Sequence, residues 1–262
     1  MKSVLIVGCG NIGSKLYKEY ERLKPDRYDP YKSIDEKKNI RYDFAFIAVD
    51  TPMLADGSCD LSQVETAIKD TNAEIIVLRS TVPPYTTQRL ANKLNKKIVF
   101  SPEFYGTTQH CDENTFDFNF VILGGETQDC DAVAQLLQDV YDARFRVSIV
   151  DSPTAELAKY MENTMLAAKV SLCVQFYEIA NQLGISYQKL RELWLMDKRF
   201  SRSHTFVYAD HPFWESHCFD KDIPALLNFA NAPLIAAIRD YNEDCKKKFM
   251  EGKENGSSSQ GD

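Results

Sequence analysis

Cys218 stands in the run Glu215-Ser216-His217-Cys218-Phe219-Asp220-Lys221-Asp222, among polar neighbours and just ahead of a helix start marked by Asp222 and Pro224. A single cysteine is usually a small core residue. Here nearby positive charge and helix N–H groups favour the thiolate, the form that attacks an electrophilic carbon. Asp222 reads either as part of the same site or as the N-cap of that helix. Lys159 and Asn163 are four apart in a helical stretch, so both project from one face; a solvated lysine paired with Glu156 or Glu162 is the plainer reading of the first. Near the other end of the chain, Gly8-Cys9-Gly10-Asn11-Ile12-Gly13 follows an apolar run and opens a helix. In that setting Gly8 permits the tight turn, Gly10 lets backbone N–H groups approach a pyrophosphate, and Gly13 lets the helix pack close to the strand, with Asn11 and Ile12 inside the same cofactor-binding turn. Asp29, about 20 residues on, is placed to accept both ribose hydroxyls of NAD. An Asp-Pro turn is the alternative there, and Arg27 and Lys32 keep NADP open.

These residues need a scaffold, and the apolar pattern supplies one. Short apolar runs at residues 4–7, 44–49, 75–78, 98–100, 120–123 and 145–150 read as strands, and helical patterns at 14–23, 61–68 and 129–140 lie between several of them. Strands alternating with helices predict an α/β fold with a doubly wound parallel Rossmann sheet. Three loops then fall at carboxyl ends of strands: Asp50-Thr51-Pro52, Ser80-Thr81-Val82-Pro83-Pro84 and Ser101-Pro102-Glu103-Phe104. Each alone is more often a turn, but open parallel sheets place their ligand crevice at those ends, so the three converge on one site. Asp60 with Gln63 reads as a capping box without further role. The segment between Asp29 and Phe44 is too short for a full strand-helix-strand unit, so the sheet is expected to be trimmed there.

From Asp151 the pattern changes to a long central helix. Pro153 suits a first helical turn, and no Gly or Pro interrupts the chain until Gly184. At 1.5 Å per residue such a helix is roughly 45 Å long, and its apolar face, with Leu157, Met161, Met165 and Leu172, is expected to pair with a second copy. Shorter helices are expected at 187–195, 224–230 and 233–249. The expected organisation is a Rossmann dinucleotide-binding domain over 1–150, a helical catalytic and dimerisation domain over 151–250, and a disordered tail, rich in Gly, Ser and charge, over 251–262.

Composition bounds the partners. The chain of 262 residues is 44% hydrophobic and 26% charged, enough for a sizeable core, and its net charge of −7 disfavours nucleic acid or an anionic membrane. Seven cysteines without a CxxC pair or Cys/His ligand spacing predict no metal site and a reducing compartment. The short apolar run at the start is no signal-peptide core, and no stretch is long enough to span a membrane, so a cytoplasmic location is expected.

Taken in order, the glycine turn, Asp50-Thr51-Pro52, Ser80-Thr81-Val82-Pro83, Pro102-Glu103-Phe104, Lys159 with Asn163, and Cys218-Phe219-Asp220-Lys221-Asp222 resemble the UDP-glucose/GDP-mannose dehydrogenase family, from residue 3 to about residue 245. The resemblance implies NAD as cofactor, bound by the glycine turn, Asp29, Thr51, Pro52, Ser80 and Thr81. It also implies oxidation of a primary alcohol of a sugar nucleotide, or of a smaller relative, to a carboxylate. Carried over, Cys218 is the nucleophile of a thiohemiacetal and thioester, Lys159 and Asn163 stabilise developing negative charge, and Thr81, Glu103 and Asp222 orient water and move protons. Two departures bear on substrate. The family is glycine-rich just before its cysteine, whereas His211-Pro212-Phe213-Trp214-Glu215-Ser216-His217 is bulky, which predicts a shrunken pocket and poor use of UDP-glucose and GDP-mannose. The sequence also stops where the family's C-terminal nucleotide-binding domain would begin. Two other readings stand beside this one: a single-step hydroxyacid-type dehydrogenase, in which Cys218 is dispensable, and an NAD-binding module without turnover.

Overall fold

The computed structural model describes residues 2–104, 120–141 and 145–257. Among them, β1 (Val4–Val7), β2 (Asp26–Asp29), β3 (Ile34–Asp35), β4 (Tyr42–Ile47), β5 (Ala73–Leu78), β6 (Lys97–Phe100), β7 (Phe120–Gly124) and β8 (Arg146–Val150) form one sheet in the order β3-β2-β1-β4-β5-β6-β7-β8. The central strands are apolar at successive positions because both of their faces are covered. Val4, Ile6, Phe44, Phe46, Ile75 and Val77 pack with α1 (Asn11–Glu19) and α4 (Thr127–Gln138). The alternate residues Leu5, Val7, Ala45, Ile47, Ile76 and Leu78 pack with α2 (Ser62–Asp70) and α3 (Thr86–Leu94). This is the doubly wound arrangement.

Two joins depart from the expected all-parallel sheet: β2 with β3, and β6 with β7, are antiparallel. The first follows from length. A parallel return needs a crossover of a dozen or more residues, and after β2 the chain makes only a 3₁₀ turn, Pro30–Lys32, before β3 folds back on β2 as an edge. The helix expected over 14–23 ends at Glu19 and is followed by a 3₁₀ turn, Glu21–Leu23.

α5 (Ser152–Gln182) is the expected long helix, 31 residues, begun by Pro153 in its first turn and followed by Gly184 at φ +67°. Its rise makes it about 46 Å long. α6 (Tyr187–Trp194), α7 (Phe219–Phe229) and α8 (Pro233–Ser257) follow. α7 begins at Phe219, ahead of the expected start at Pro224, and α8 continues through 251–257, where a disordered tail was expected; 258–262 lie outside the described residues. Internal contacts divide the described residues into a sheet unit that ends at Tyr160 and a helical unit that begins at Met161, so the division falls within α5. No helix among the described residues is long and apolar enough to cross a membrane.

Candidate active site

In the sheet unit, β1, β4, β5 and β6 are consecutive, parallel neighbours, so the loops that follow them leave one edge. The loops are cross-linked there. Thr51 Oγ1 donates to the carbonyl of Thr81 at 3.0 Å, Ser80 Oγ to that of Val49 at 2.6 Å, and Arg79 Nη1 to Ser101 Oγ at 2.7 Å. Thr51, Ser80 and Glu103 are buried, Thr81 is half-buried, and Pro52 is exposed. Arg79 is the residue of this edge that the sequence reading missed. An arginine directly after an apolar strand and before Ser80 was the available signal.

The glycine turn leaves the same edge. Gly8 sits at φ +86°, and a Cβ there would lie 2.4 Å from the Ala48 carbonyl oxygen. A Cβ on Gly13 would lie 1.8 Å from the carbonyl oxygen of Gly8, so the close seating of α1 over the turn requires glycine. A Cβ on Gly10 meets no atom within 4 Å, and Gly10 caps α1 without a side-chain hydrogen bond. Asn11 is exposed and Ile12 half-buried beside it. The open face at Gly10 and the uncapped start of α1 fit a dinucleotide diphosphate, whose charge a helix N-terminus favours.

Asp29 ends β2 and is buried. Its Oδ2 accepts from the backbone N–H of Cys9 at 2.8 Å, and its Oδ1 from those of Tyr31 and Lys32 at 3.0 and 3.2 Å. The carboxylate therefore caps the Asp-Pro turn and ties it to the glycine turn. Burial, then the negative charge of Asp29, pushes the Cys9 thiol above its ordinary range. The cations that kept NADP open are both engaged: Arg27 Nε donates to Glu36 at 3.0 Å, and Lys32 Nζ donates to the Cys9 carbonyl at 2.8 Å.

Lys159 is buried and not solvated. Its Nζ lies 3.8 Å from Glu103 Oε1 and 5.1 Å from the centre of the Phe104 ring. Glu156, one of the two acids within a turn of it, instead accepts at Oε1 from Thr87 N (2.8 Å) and Thr87 Oγ1 (2.6 Å), fully buried at the start of α3. Desolvation pushes the Glu156 carboxyl up to about 7.

In the helical unit, Asn163 Nδ2 donates to Asp222 Oδ2 at 2.7 Å, and Lys221 Nζ reaches Asp222 Oδ1 at 2.6 Å; both Asn163 and Asp222 are buried. Asp222 is thus not the N-cap of α7 but a buried acceptor one turn inside it. The cap lies upstream: Ser216 Oγ accepts from Phe219 N at 2.9 Å, while Ser216 N donates to Asp220 Oδ2 at 2.9 Å. Cys218, half-buried, is the last residue before the helix. The Ser216/Asp220 exchange was legible as a serine followed by an acid one turn on, a relative of the capping box. The bulky loop also differs from expectation. Phe213 packs with Val174 and Cys245, and Trp214 with Ala167, Phe219 and Ile223, so both rings fill the core of the helical unit. They are apolar enough to be drawn inward, and they do not supply the bulk that was expected to shrink a pocket.

Family models match in two parts: the NAD binding domain of the UDP-glucose/GDP-mannose dehydrogenase family over residues 26–144, and that family's central domain over residues 153–244. The UDP-glucose 6-dehydrogenase of Rickettsia bellii is 30% identical over 241 residues, covering 86% of this chain and 54% of the relative. The UDP-N-acetyl-D-mannosamine dehydrogenase of Methanococcus maripaludis is 33% identical over 224 residues, covering 77% and 48%. The chain thus spans about half the length of the curated relatives it matches. Among solved structures, the UDP-glucose dehydrogenase of Pyrobaculum islandicum shares the fold with a TM-score of 0.74 at 24% identity, covering 93% of this chain and 68% of that one.

Proposed function

Because the chain belongs to the UDP-glucose/GDP-mannose dehydrogenase family, we propose that it is an NAD-dependent oxidoreductase that takes the primary alcohol of a sugar nucleotide, or of a smaller relative, to a carboxylate through covalent chemistry at Cys218. The observation that carries this reading is the placement of Cys218 at the entry to α7, four residues before a buried Asp222 that Asn163 holds from α5. Cys218 borders the apolar cluster of Ala167, Trp214, Phe219 and Ile223, and the polar Asn163–Asp222 pair lies buried in the same unit, one helical turn along α7 from the cysteine.

NAD, when bound, accepts the hydride lost at each of two oxidation levels. The glycine turn and the start of α1 would hold its diphosphate; Asp29, whose carboxylate already accepts three backbone N–H groups, would take the ribose hydroxyls on its remaining acceptor capacity, and Thr51, Pro52, Ser80 and Thr81 would line the same edge of the sheet. The Cys218 thiolate adds to the aldehyde carbon to give a thiohemiacetal, loss of the second hydride leaves a thioester, and water cleaves the C–S bond to return the thiol and release the acid. The alcohol and one water thus yield a carboxylate, with four electrons leaving as two hydrides. Lys159 and Asn163 are donors to the developing oxyanion. Thr81, Glu103 and Asp222 orient water and carry protons. The two named relatives act on different sugars, and the inward packing of Phe213 and Trp214 removes their part of the case against UDP-glucose.

The test is NADH formation from UDP-glucose, UDP-N-acetylmannosamine and GDP-mannose, with product stoichiometry. Two NADH per acid released, abolished in Cys218→Ala, is the expected result. One NADH per alcohol with Cys218→Ala unaltered favours the single-step hydroxyacid reading, and NAD binding without turnover of any alcohol favours the binding module.

We further propose a cytoplasmic homodimer. Met161, Met165 and Leu172 on α5 are 64%, 61% and 62% exposed, with Leu157 of the same helix half-exposed, an apolar stripe of the kind that pairs between copies.

A further inference from the structure

We infer that Trp214 and Asn242 are positioning residues for Cys218, forming a clamp that fixes the segment before the nucleophile to two helices. The inference rests on Cys218 as the nucleophile, and it deepens that reading. Asn242, on α8, makes both hydrogen bonds that a backbone partner would make: its Oδ1 accepts from Trp214 N at 2.8 Å and its Nδ2 donates to Trp214 O at 3.0 Å. The indole Nε1 of Trp214 donates to Ser171 Oγ on α5 at 3.0 Å. All three residues are buried, so each lost bond leaves a group that water does not replace.

The clamp reaches the cysteine through short, rigid links. The Trp214 ring meets Phe219 edge-on, with centroids 6.0 Å apart, and Phe219 directly follows Cys218. Between them the Ser216 cap closes on Phe219 N and Asp220, and Lys246 Nζ of α8 lies 3.2 Å from Asp220 Oδ1. Packing alone would hold a tryptophan; it would not require its backbone N–H and C=O to be taken by one buried amide. That pairing fixes the direction in which the chain enters α7, and so the direction of the Cys218 side chain. A displacement of about 1 Å in such a group costs on the order of a hundred-fold in rate.

Alkylation of Cys218 by iodoacetamide, followed by peptide mass spectrometry across pH, tests the clamp without a substrate. The titratable and charged groups around the cysteine remain in every variant: Glu215, His217, Asp220, Lys221 and Asp222 on its own segment, Lys246 of α8 on Asp220, and His204 against the Phe219 ring; the other charged residues of α8 are likewise unchanged. Asn242→Ala is expected to move the pH midpoint of Cys218 alkylation up by about one unit, as the thiol leaves the start of α7. With a sugar nucleotide that the wild type oxidises, it is expected to lower kcat at least roughly ten-fold while leaving KM for NAD within about two-fold. A folded Asn242→Ala protein with the wild-type alkylation profile overturns the proposal. Should that variant not fold, Ser171→Ala, which removes only the indole's acceptor, carries the test: a smaller upward shift supports the clamp and an unchanged profile overturns it. Failure of Cys218 as nucleophile shows separately, as full turnover by Cys218→Ala.

Discussion

At the scale of single residues, the buried partners decide what each candidate group can do. Lys159 beside Glu103, and Asn163 on Asp222, are held by contacts that cost side-chain freedom once, on folding, and not again in each turnover. Lys159→Ala is expected to lower kcat by roughly a hundred-fold or more, the range for loss of an oxyanion donor, with NAD affinity measured by fluorescence titration unchanged. An equal loss in NAD affinity would show that Lys159 serves the fold of the sheet unit instead. Asp29 is a separate case: three backbone N–H groups converge on it. Asp29→Ala is expected to weaken NAD by at least about ten-fold and, by orphaning buried donors, to destabilise the protein by roughly 2 kcal/mol, read by NAD titration and urea unfolding. With Arg27 on Glu36 and Lys32 on the Cys9 carbonyl, the wild type is expected to prefer NAD over NADP, and equal binding in parallel titrations would refute this.

At the scale of elements, the start of α3 carries a pH-dependent contact. Glu156 is fully buried, and among the described residues its Oε2 has no hydrogen-bond partner, so ionisation is costly and its pKa rises from 4.5 to about 7. A raised carboxyl binds its proton more tightly in the folded chain than in the unfolded one. Its contribution is complete below pH 4.5 and is lost as pH rises through about 7, a fall on the order of 3 kcal/mol from this group. Glu156→Gln keeps an acceptor for Thr87 without the charge, so it is expected to remove that slope and raise Tm at pH 8 relative to the wild type. Parallel Tm curves for the two proteins from pH 5 to 8 would disprove the assignment. The elements themselves were largely readable: β1 and the cores of β4 to β8 follow from short, mainly apolar runs, and α5 from the stretch between Pro153 and Gly184 that no Gly or Pro interrupts. β2 was not, because Asp-Arg-Tyr-Asp lacks the apolar run of the other strands: its bonds to β1 and the cap at Asp29 hold it in place, not a face buried on both sides. α7 was misplaced by five residues, since Pro224 suggested a first turn while the Ser216 and Asp220 bonds start the helix earlier.

At the scale of the whole molecule, the exposed stripe on α5 is an expense unless a second copy covers it. Met161→Glu together with Leu172→Glu is expected to give a monomer by light scattering at micromolar concentration while the far-ultraviolet spectrum stays helical. A wild type that is already monomeric refutes the dimer. The sequence by itself determined the order of chemistry-bearing motifs, the alternation of strand and helix that makes a doubly wound sheet, and the long helix that carries Lys159 and Asn163. Those features are local: each is a periodicity, a turn residue or a spacing within one element. Only the tertiary structure decided that Asp222 accepts from Asn163 and does not cap its helix, that Lys159 faces Glu103 and not Glu156, and that Phe213 and Trp214 turn into the core. Each of these depends on which groups from distant segments meet in a space without water, where a polar atom must find a partner and an aromatic ring gains most by burial, and no spacing along the chain encodes that choice.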